Sequence, residues 1–136
     1  MPIAFHLQRS DGAARAGMLT TRHGEVPTPA FIPVATQGSV KTVTPQELRD
    51  LGATILLGNT YHLCLRPGAE LVRKMGGLGA FMGWDGPLLT DSGGFQAYSL
   101  AHNVRVSSQG LDFQSHIDGS RLIFTPEAVV QYQEAL

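Results

Sequence analysis

Apolar and polar side chains alternate at the start of the chain. Ile3, Phe5 and Leu7 fall on one face of an extended segment, which predicts a half-buried strand. The Ser-Asp-Gly sequence at 10–12 favours a turn, and residues 16–21 can return as a second strand. This part of the chain is therefore predicted to form an antiparallel β extension.

Beyond residue 30 the pattern changes to short apolar runs. Three of these runs are predicted to be strands, at 30–34, 53–57 and 88–90. Runs with hardly any polar position are typical of parallel strands that are covered on both faces. Helix signals separate the runs, so we expect a parallel sheet with right-handed crossovers.

The first of these helices has a clear beginning. The sequence Thr-Pro-Gln-Glu at 44–47 provides a capping threonine, a first-turn proline and the glutamate of a capping box. Leu48 and Leu51 are predicted to form its buried stripe, and Gly52 to end it. A second helix is predicted over 67–76.

The alternation of strand and helix is interrupted between residues 100 and 124. Segments 104–106 and 111–113 alternate around a turn, and 121–124 is extended again, which predicts an inserted β-hairpin region. The Thr-Pro-Glu sequence at 125–127 then starts a last helix.

The composition indicates one globular domain. The chain has 136 residues, of which 43% are hydrophobic and 15% charged. Its formal net charge is −1 and its ten Lys and Arg residues are scattered, so no overall positive field attracts nucleic acid. An RNA partner would need basic surface supplied from elsewhere. Cys64 is the only cysteine, which excludes an intrachain disulfide and a zinc cluster built from this chain's cysteines.

The sequence shows neither a signal-peptide pattern nor a membrane-span pattern. No basic region precedes an apolar core near the start, and the apolar runs are too short to cross a bilayer. We therefore expect a soluble, cytoplasmic protein without a membrane partner.

Candidate chemistry lies where the predicted strands end. The carboxyl ends of parallel strands share one edge, and in (β/α)8 barrels that edge carries the active site. Asn59, Asp91, Ser92 and the backbone of Gly93 and Gly94 would then converge on one pocket.

The stretch 88–96, Leu-Leu-Thr-Asp-Ser-Gly-Gly-Phe-Gln, suits a flat polar ring such as a nucleobase. Asp91 could hold a ring N–H and move a proton, and Phe95 offers a flat apolar face. Asn59 has a donor and an acceptor for a sugar or base edge. The alternative is a simple strand-ending turn, because Asp, Ser and Gly all favour turns. His62 could be a base, although a satisfied buried histidine is the favoured interpretation.

Four motifs resemble the tRNA-guanine transglycosylases, also called queuine tRNA-ribosyltransferases, of the bacterial type. They occur in the family's order, from about Thr28 to the last residue: Gly-Asn-Thr-Tyr-His-Leu at 58–63, Leu-Arg-Pro-Gly at 65–68, Phe-Met-Gly-Trp at 81–84 and Thr-Asp-Ser-Gly-Gly-Phe-Gln at 90–96. The resemblance implies a (β/α)8 TIM barrel preceded by an antiparallel β extension. It also implies exchange of guanine at the wobble position of tRNA anticodons for a 7-deazaguanine (preQ1 or queuine), in queuosine biosynthesis.

The resemblance also implies roles for individual residues. Asp91 matches the family's proton acceptor, and Asn59 matches a residue near the ribose. The base-binding loop corresponds to Asp91, Ser92, Gly93, Gly94 and Phe95, with Phe95 stacking on the ring.

The resemblance covers only part of the family's length. The family's nucleophilic aspartate, its basic tRNA surface and the three Cys and one His that bind zinc would lie beyond Leu136. A complete barrel takes about 250 residues. Residues 1–136 are therefore expected to be an N-terminal fragment, with the β extension, the first βα units and the insertion at about 100–124. We expect it to be poorly stable and inactive alone. For the full-length protein we expect zinc, tRNA and a 7-deazaguanine as partners, and a homodimer.

Two other functions fit parts of the pattern. A non-catalytic TIM-barrel partner subunit could bind tRNA without chemistry, although the intact 91–96 loop argues against it. An unrelated α/β barrel enzyme acting on a phosphorylated sugar is less favoured, because no glycine-rich phosphate loop opens a helix.

Overall fold

The computed structural model describes residues 2–136 and has a mixed α/β architecture. Within these residues, nine strands form three separate three-stranded sheets, and six α-helices and one 3₁₀ turn connect them. No helix in this range has the length and apolar character needed to cross a membrane.

The first sheet is an antiparallel meander of β1 (Ala4–Asp11), β2 (Ala14–Thr21) and β3 (Gly24–Thr28). The predicted antiparallel pair is confirmed, and β3 is an additional strand that the sequence pattern did not indicate. The prediction of a half-buried first strand was wrong. Phe5 and Leu7 keep 53% and 50% of their surface exposed, because no other described element covers their face.

The second sheet is parallel and follows chain order, β4 (Val34–Ala35), β5 (Leu56–Gly58) and β6 (Leu88–Thr90). Its helical connections are α1 (Pro45–Asp50), α2 (Thr60–Leu65), α3 (Ala69–Lys74) and α4 (Leu78–Met82). The predicted alternation is confirmed and β6 has its predicted bounds, but β4 and β5 are shorter than predicted and each ends one residue later. Pro33 has no amide to donate, and β4 begins only after it.

Helix α1 shows the predicted capping box. The Thr44 hydroxyl accepts from the Glu47 amide at 3.2 Å, and the Glu47 carboxylate accepts from the Thr44 amide at 2.7 Å. Leu48 is 5% exposed, as predicted, but Leu51 is 79% exposed. Leu51 is the C-cap residue and lies past the last helical turn, so it does not continue the buried stripe.

The third sheet contains β7 (Val104–Ser107), β8 (Gly110–Gln114) and β9 (Arg121–Phe124), which confirms the strands predicted for this region. Helix α6 (Pro126–Ala135) follows, capped by the Thr125 hydroxyl, which accepts from the Ala128 amide.

Three buried clusters hold these elements together, centred on Leu48–Leu56–Trp84, Tyr61–Phe113–Phe124 and Leu63–Val72–Leu78. The second cluster packs α2 against β8 and β9, with Tyr132 of α6 at its edge. The third sheet and α6 therefore support α2 directly, and α2 begins at the end of β5.

Both edges of the parallel sheet lack a neighbouring strand in the described part of the chain. Val34 on β4 and Leu89 on β6 are 52% and 44% exposed. Open edges with apolar side chains favour pairing between molecules. We expect the isolated chain to self-associate as its concentration rises. Light scattering on samples that elute from a size-exclusion column measures the mass of the particles.

The substitution Leu89→Lys should reduce this association, because a charge on an edge strand opposes pairing. The matched control is Val130→Lys. Val130 is 53% exposed but lies on helix α6 and not on the edge of a sheet. A monodisperse monomer at every concentration would contradict the expectation.

Candidate active site

The ends of β5 and β6 lie side by side and bring Asn59 and Asp91 into contact. Gly58 pairs in register with Thr90, and the Asp91 amide donates to the Gly58 carbonyl at 3.3 Å. One residue further along, the Asn59 amide nitrogen Nδ2 donates to Asp91 Oδ2 at 2.7 Å. Adjacent strand ends thus join the two polar side chains singled out in the sequence.

The Asp91 carboxylate is held by three N–H donors. Besides Asn59, the backbone amides of Thr60 and Gly93 donate to Oδ1 at 2.8 and 3.2 Å. Hydrogen bonds to a charged acceptor contribute about 1.5–3 kcal/mol each. A carboxylate has about four acceptor positions, so one position, on Oδ2, stays open for a further donor.

Asn59 uses both ends of its side-chain amide. Its Oδ1 accepts from the His62 amide at 3.1 Å and so caps α2, while its Nδ2 holds Asp91. An aspartate at this position could cap the helix equally well, but it would place a second carboxylate against Asp91. The neutral amide is therefore the group that serves both contacts, and Asn59 is 7% exposed.

Two residues of this site were not identified from the sequence. Thr60 is fully buried, and its hydroxyl donates to the Asp91 carbonyl at 2.6 Å. Gln133 of α6 donates from Nε2 to the same carbonyl at 3.0 Å. An asparagine just before an apolar run is an N-cap pattern that could have indicated α2 and Thr60. Gln133 has no such local pattern, because the contact joins residues 42 apart.

Gly93 occupies a position that no other residue suits. Its φ is +73°, in the left-handed region, and it is buried. A Cβ added there would lie 2.7 Å from a ring carbon of Phe124 and 3.2 Å from the Tyr61 Cβ. Beside it, the exposed Ser92 hydroxyl accepts from the Gly94 amide at 3.3 Å. Gly94 begins α5 (Gly94–Ser99), a helix that the sequence pattern did not indicate.

Phe95 presents its ring to the outside. It is 70% exposed, and its ring centre lies 6.3 Å from that of Tyr98, which is 82% exposed. Gln96, the next residue, is by contrast 8% exposed, and its buried Oε1 has no hydrogen-bond partner among residues 2–136. The helix therefore offers an aromatic face directly after the loop that holds Asp91.

His62 stands beside Asp91 in a group of rings. Its ring centre is 5.8 Å from that of His116, and the Tyr61 hydroxyl lies 3.3 Å from His116 Nδ1. Burial lowers the pKa of His62 below its ordinary value, His116 lowers it further, and the Asp91 carboxylate opposes both effects. The neutral imidazole is therefore the favoured form at neutral pH.

The residues present do not fit a zinc ion. Within residues 2–136, no group of three or more His, Cys, Asp and Glu side chains is placed to hold a metal. Burial raises the pKa of the Cys64 thiol to about 12, whereas a zinc ligand must be a thiolate.

We predict that His62 makes folding stability depend on pH. Because the pKa of His62 is lowered in the folded chain, the unfolded chain binds the proton more readily, and stability falls as the pH drops below the ordinary value of 6.5. His62→Gln should reduce this fall between about pH 7.5 and about pH 5.5, above the range where carboxylates titrate. Denaturant unfolding at micromolar protein concentration measures the free energy of unfolding at each pH.

The control is Gln8→Asn in the exposed strand β1, which changes no ionisable group and should leave the pH dependence as in the parent. Identical pH dependence in the parent and His62→Gln would show that the His62 environment does not favour the neutral form.

The chain also matches known proteins over nearly its whole length. The family model described as Queuine tRNA-ribosyltransferase matches residues 10–136. A queuine tRNA-ribosyltransferase of Desulforudis audaxviator is 62% identical over 138 residues, covering 100% of this chain and 37% of that protein. Proteins with the same name from Solidesulfovibrio magneticus and Fusobacterium nucleatum are 58% and 52% identical, covering 99% and 100% of this chain.

Each of these relatives is much longer than this chain. The chain spans 36% of the Solidesulfovibrio magneticus and Fusobacterium nucleatum proteins. The match nevertheless includes every residue that holds Asp91, from Gly58 to Gln133. This chain belongs to the queuine tRNA-ribosyltransferase family.

Proposed function

We propose that this chain is the N-terminal portion of a tRNA-guanine transglycosylase. Such an enzyme exchanges guanine at the wobble position of a tRNA anticodon for a 7-deazaguanine, preQ1 or queuine. One observation carries the proposal. The Asp91 carboxylate, held by three N–H donors, keeps one acceptor position open, and the exposed Phe95 ring lies four residues further along the chain.

We propose that β4, β5 and β6 are the first strands of a TIM barrel, with β1–β3 as an extension before it. The strands are parallel and in chain order, which is the arrangement that a barrel requires. The site residues follow β5 and β6 at their carboxyl ends, where barrel enzymes carry their chemistry. The third sheet would be an insertion that supports this end.

The proposed chemistry assigns a separate task to each residue. The target nucleotide leaves the anticodon stack, and its base lies on the Phe95 ring. Asp91 gives a proton to the departing guanine as its bond to the ribose breaks, and it recovers a proton from the incoming base when a ring nitrogen of that base bonds to the ribose. Asn59 and the Thr60 amide fix the direction of the carboxylate, while Ser92, Gly93 and Gly94 shape the loop around the base.

The remaining parts of the enzyme would lie outside residues 1–136. These parts are the nucleophile that attacks the ribose, the zinc ligands and the basic surface for tRNA, since this chain has a net charge of −1. We propose a cytoplasmic location, because the proposed substrate is a tRNA. The homodimer stays a prediction.

A chimera tests the proposal. This chain replaces the matched segment of 138 residues in the Desulforudis audaxviator relative, and purified chimera is incubated with tRNA and labelled guanine. Incorporation of label into tRNA supports the proposal. This chain alone should leave the RNA unlabelled. Binding of tRNA without incorporation would favour the non-catalytic partner subunit instead.

In that chimera we expect Asp91→Asn to keep the fold and tRNA binding but to lower base exchange by about 10²–10⁴-fold. An amide shares the turn preference of the acid but has no usable basicity. Exchange kinetics beside melting curves give the measurement. Asp11→Asn at the tip of the first hairpin is the control. Exchange at the parental rate in Asp91→Asn would leave only the turn interpretation.

Phe95→Ala should weaken binding of the base rather than slow the chemical step. Stacking on an aromatic ring contributes about 1–3 kcal/mol per base, so KM for guanine should rise by about 5- to 150-fold. Tyr98→Ala is the matched control, because Tyr98 is exposed on the same helix. Equal rises in KM for both variants would argue against a specific role for Phe95.

A further inference from the structure

Gln133 makes three contacts at the end of β6. From helix α6, its Nε2 lies 3.0 Å from the Thr90 carbonyl, 3.1 Å from the Thr90 hydroxyl and 3.0 Å from the Asp91 carbonyl. Within the described residues its side chain makes no other hydrogen bond, and all three go to Thr90 and Asp91, the residue pair that carries the candidate acid. We propose that Gln133 is a positioning residue for Asp91, an inference that rests on the proposed function.

The backbone of Asp91 is fixed by three different elements. Its amide donates to the Gly58 carbonyl on β5, at 3.3 Å. Its carbonyl accepts from the Thr60 hydroxyl on α2 at 2.6 Å and from Gln133 on α6 at 3.0 Å. Once the main chain is held in this way, the side-chain torsions alone set the direction of the carboxylate. Replacing Gln133 would remove one of the two donors to the Asp91 carbonyl.

The chemistry of the contact requires a donor. All three partners of Nε2 are oxygens, and the NH₂ group of glutamine has two hydrogens to share among them. A methionine has nearly the same length but no donor. A histidine keeps an N–H at a similar reach. These two replacements therefore separate loss of the donor from a change in side-chain size.

The contact borders a cavity, which determines what its loss would do. Thr90 and Gln133 both line a cavity of about 720 Å³ that also borders Leu88 and Leu136. Without Nε2, water entering this cavity could hydrogen-bond the freed oxygens, so no buried polar group would be left unpaired. We therefore expect a loss of orientation rather than a large loss of stability.

The test compares Gln133→Met, Gln133→His and Gln131→Met in the chimera described above. Gln131→Met is the matched control, because it makes the same change at an exposed position of the same helix. We expect Gln133→Met to lower kcat by about tenfold with KM for guanine within about twofold of the parent, since misplacing a reacting group slows the chemical step. Gln133→His should recover part of the loss.

A second measurement does not depend on activity. The Gly93 amide donates to Asp91 Oδ1, so its hydrogen exchange reports how firmly the carboxylate is held. We expect this amide to exchange several-fold faster in Gln133→Met than in the parent, and at the parental rate in Gln131→Met, with melting temperatures recorded for each variant.

The outcomes separate this inference from the proposed function. A parent chimera that exchanges no base overturns the proposed function, while the Gly93 amide still reports on positioning. An active parent with parental kcat and parental Gly93 exchange in Gln133→Met overturns the positioning role alone. If the melting temperature of Gln133→Met is well below that of the parent, the positioning role is judged from Gln133→His instead. A folded His variant with kcat as low as the Met variant would also overturn it.

Discussion

The structure depends on how one carboxylate is held. Asp91 lies at the end of a parallel strand and is partly shielded from water. A carboxylate that is withdrawn from water needs hydrogen-bond donors in place of that water. Three N–H groups do so here, from Asn59, Thr60 and Gly93. This need explains why β5 must end beside β6 in register and why a helix must begin directly after β5.

The third sheet takes part in the same constraint, although it lies far away in the sequence. Phe124 of β9 packs with Tyr61 of α2 and closes the space beside Gly93, where a Cβ would meet the Phe124 ring. The strands after residue 100 therefore form the back of the loop that carries Asp91. Replacing the Gly93 hydrogen by any side chain would push that loop and its amide donor away from the carboxylate.

The sequence predicted the features that depend on neighbouring residues. The capping box of α1, the strand β6 and the hairpin strands follow from local patterns and were found. Helices α2 and α5 have six residues each, too few to show a helical period, and were missed. Leu51 was predicted to be buried because the stripe was extended beyond the helix end. Asn59 and Asp91 were indicated by their place after strands, but the Gln133 contact joins elements that only the fold brings together.

The arrangement divides the proposed reaction into two parts. The donors that orient Asp91 come from α2 and its capping residue Asn59, from the loop before α5 and from α6, all between residues 59 and 133. The described residues of this chain therefore hold Asp91 and present the Phe95 ring by themselves. Its charges do not favour RNA in the same way, because ten cationic and eleven acidic residues nearly cancel. Under the proposed function, this chain would recognise the base by short-range hydrogen bonds and stacking. Attraction of the tRNA phosphates would then come from another surface, so the two proposed functions could change independently.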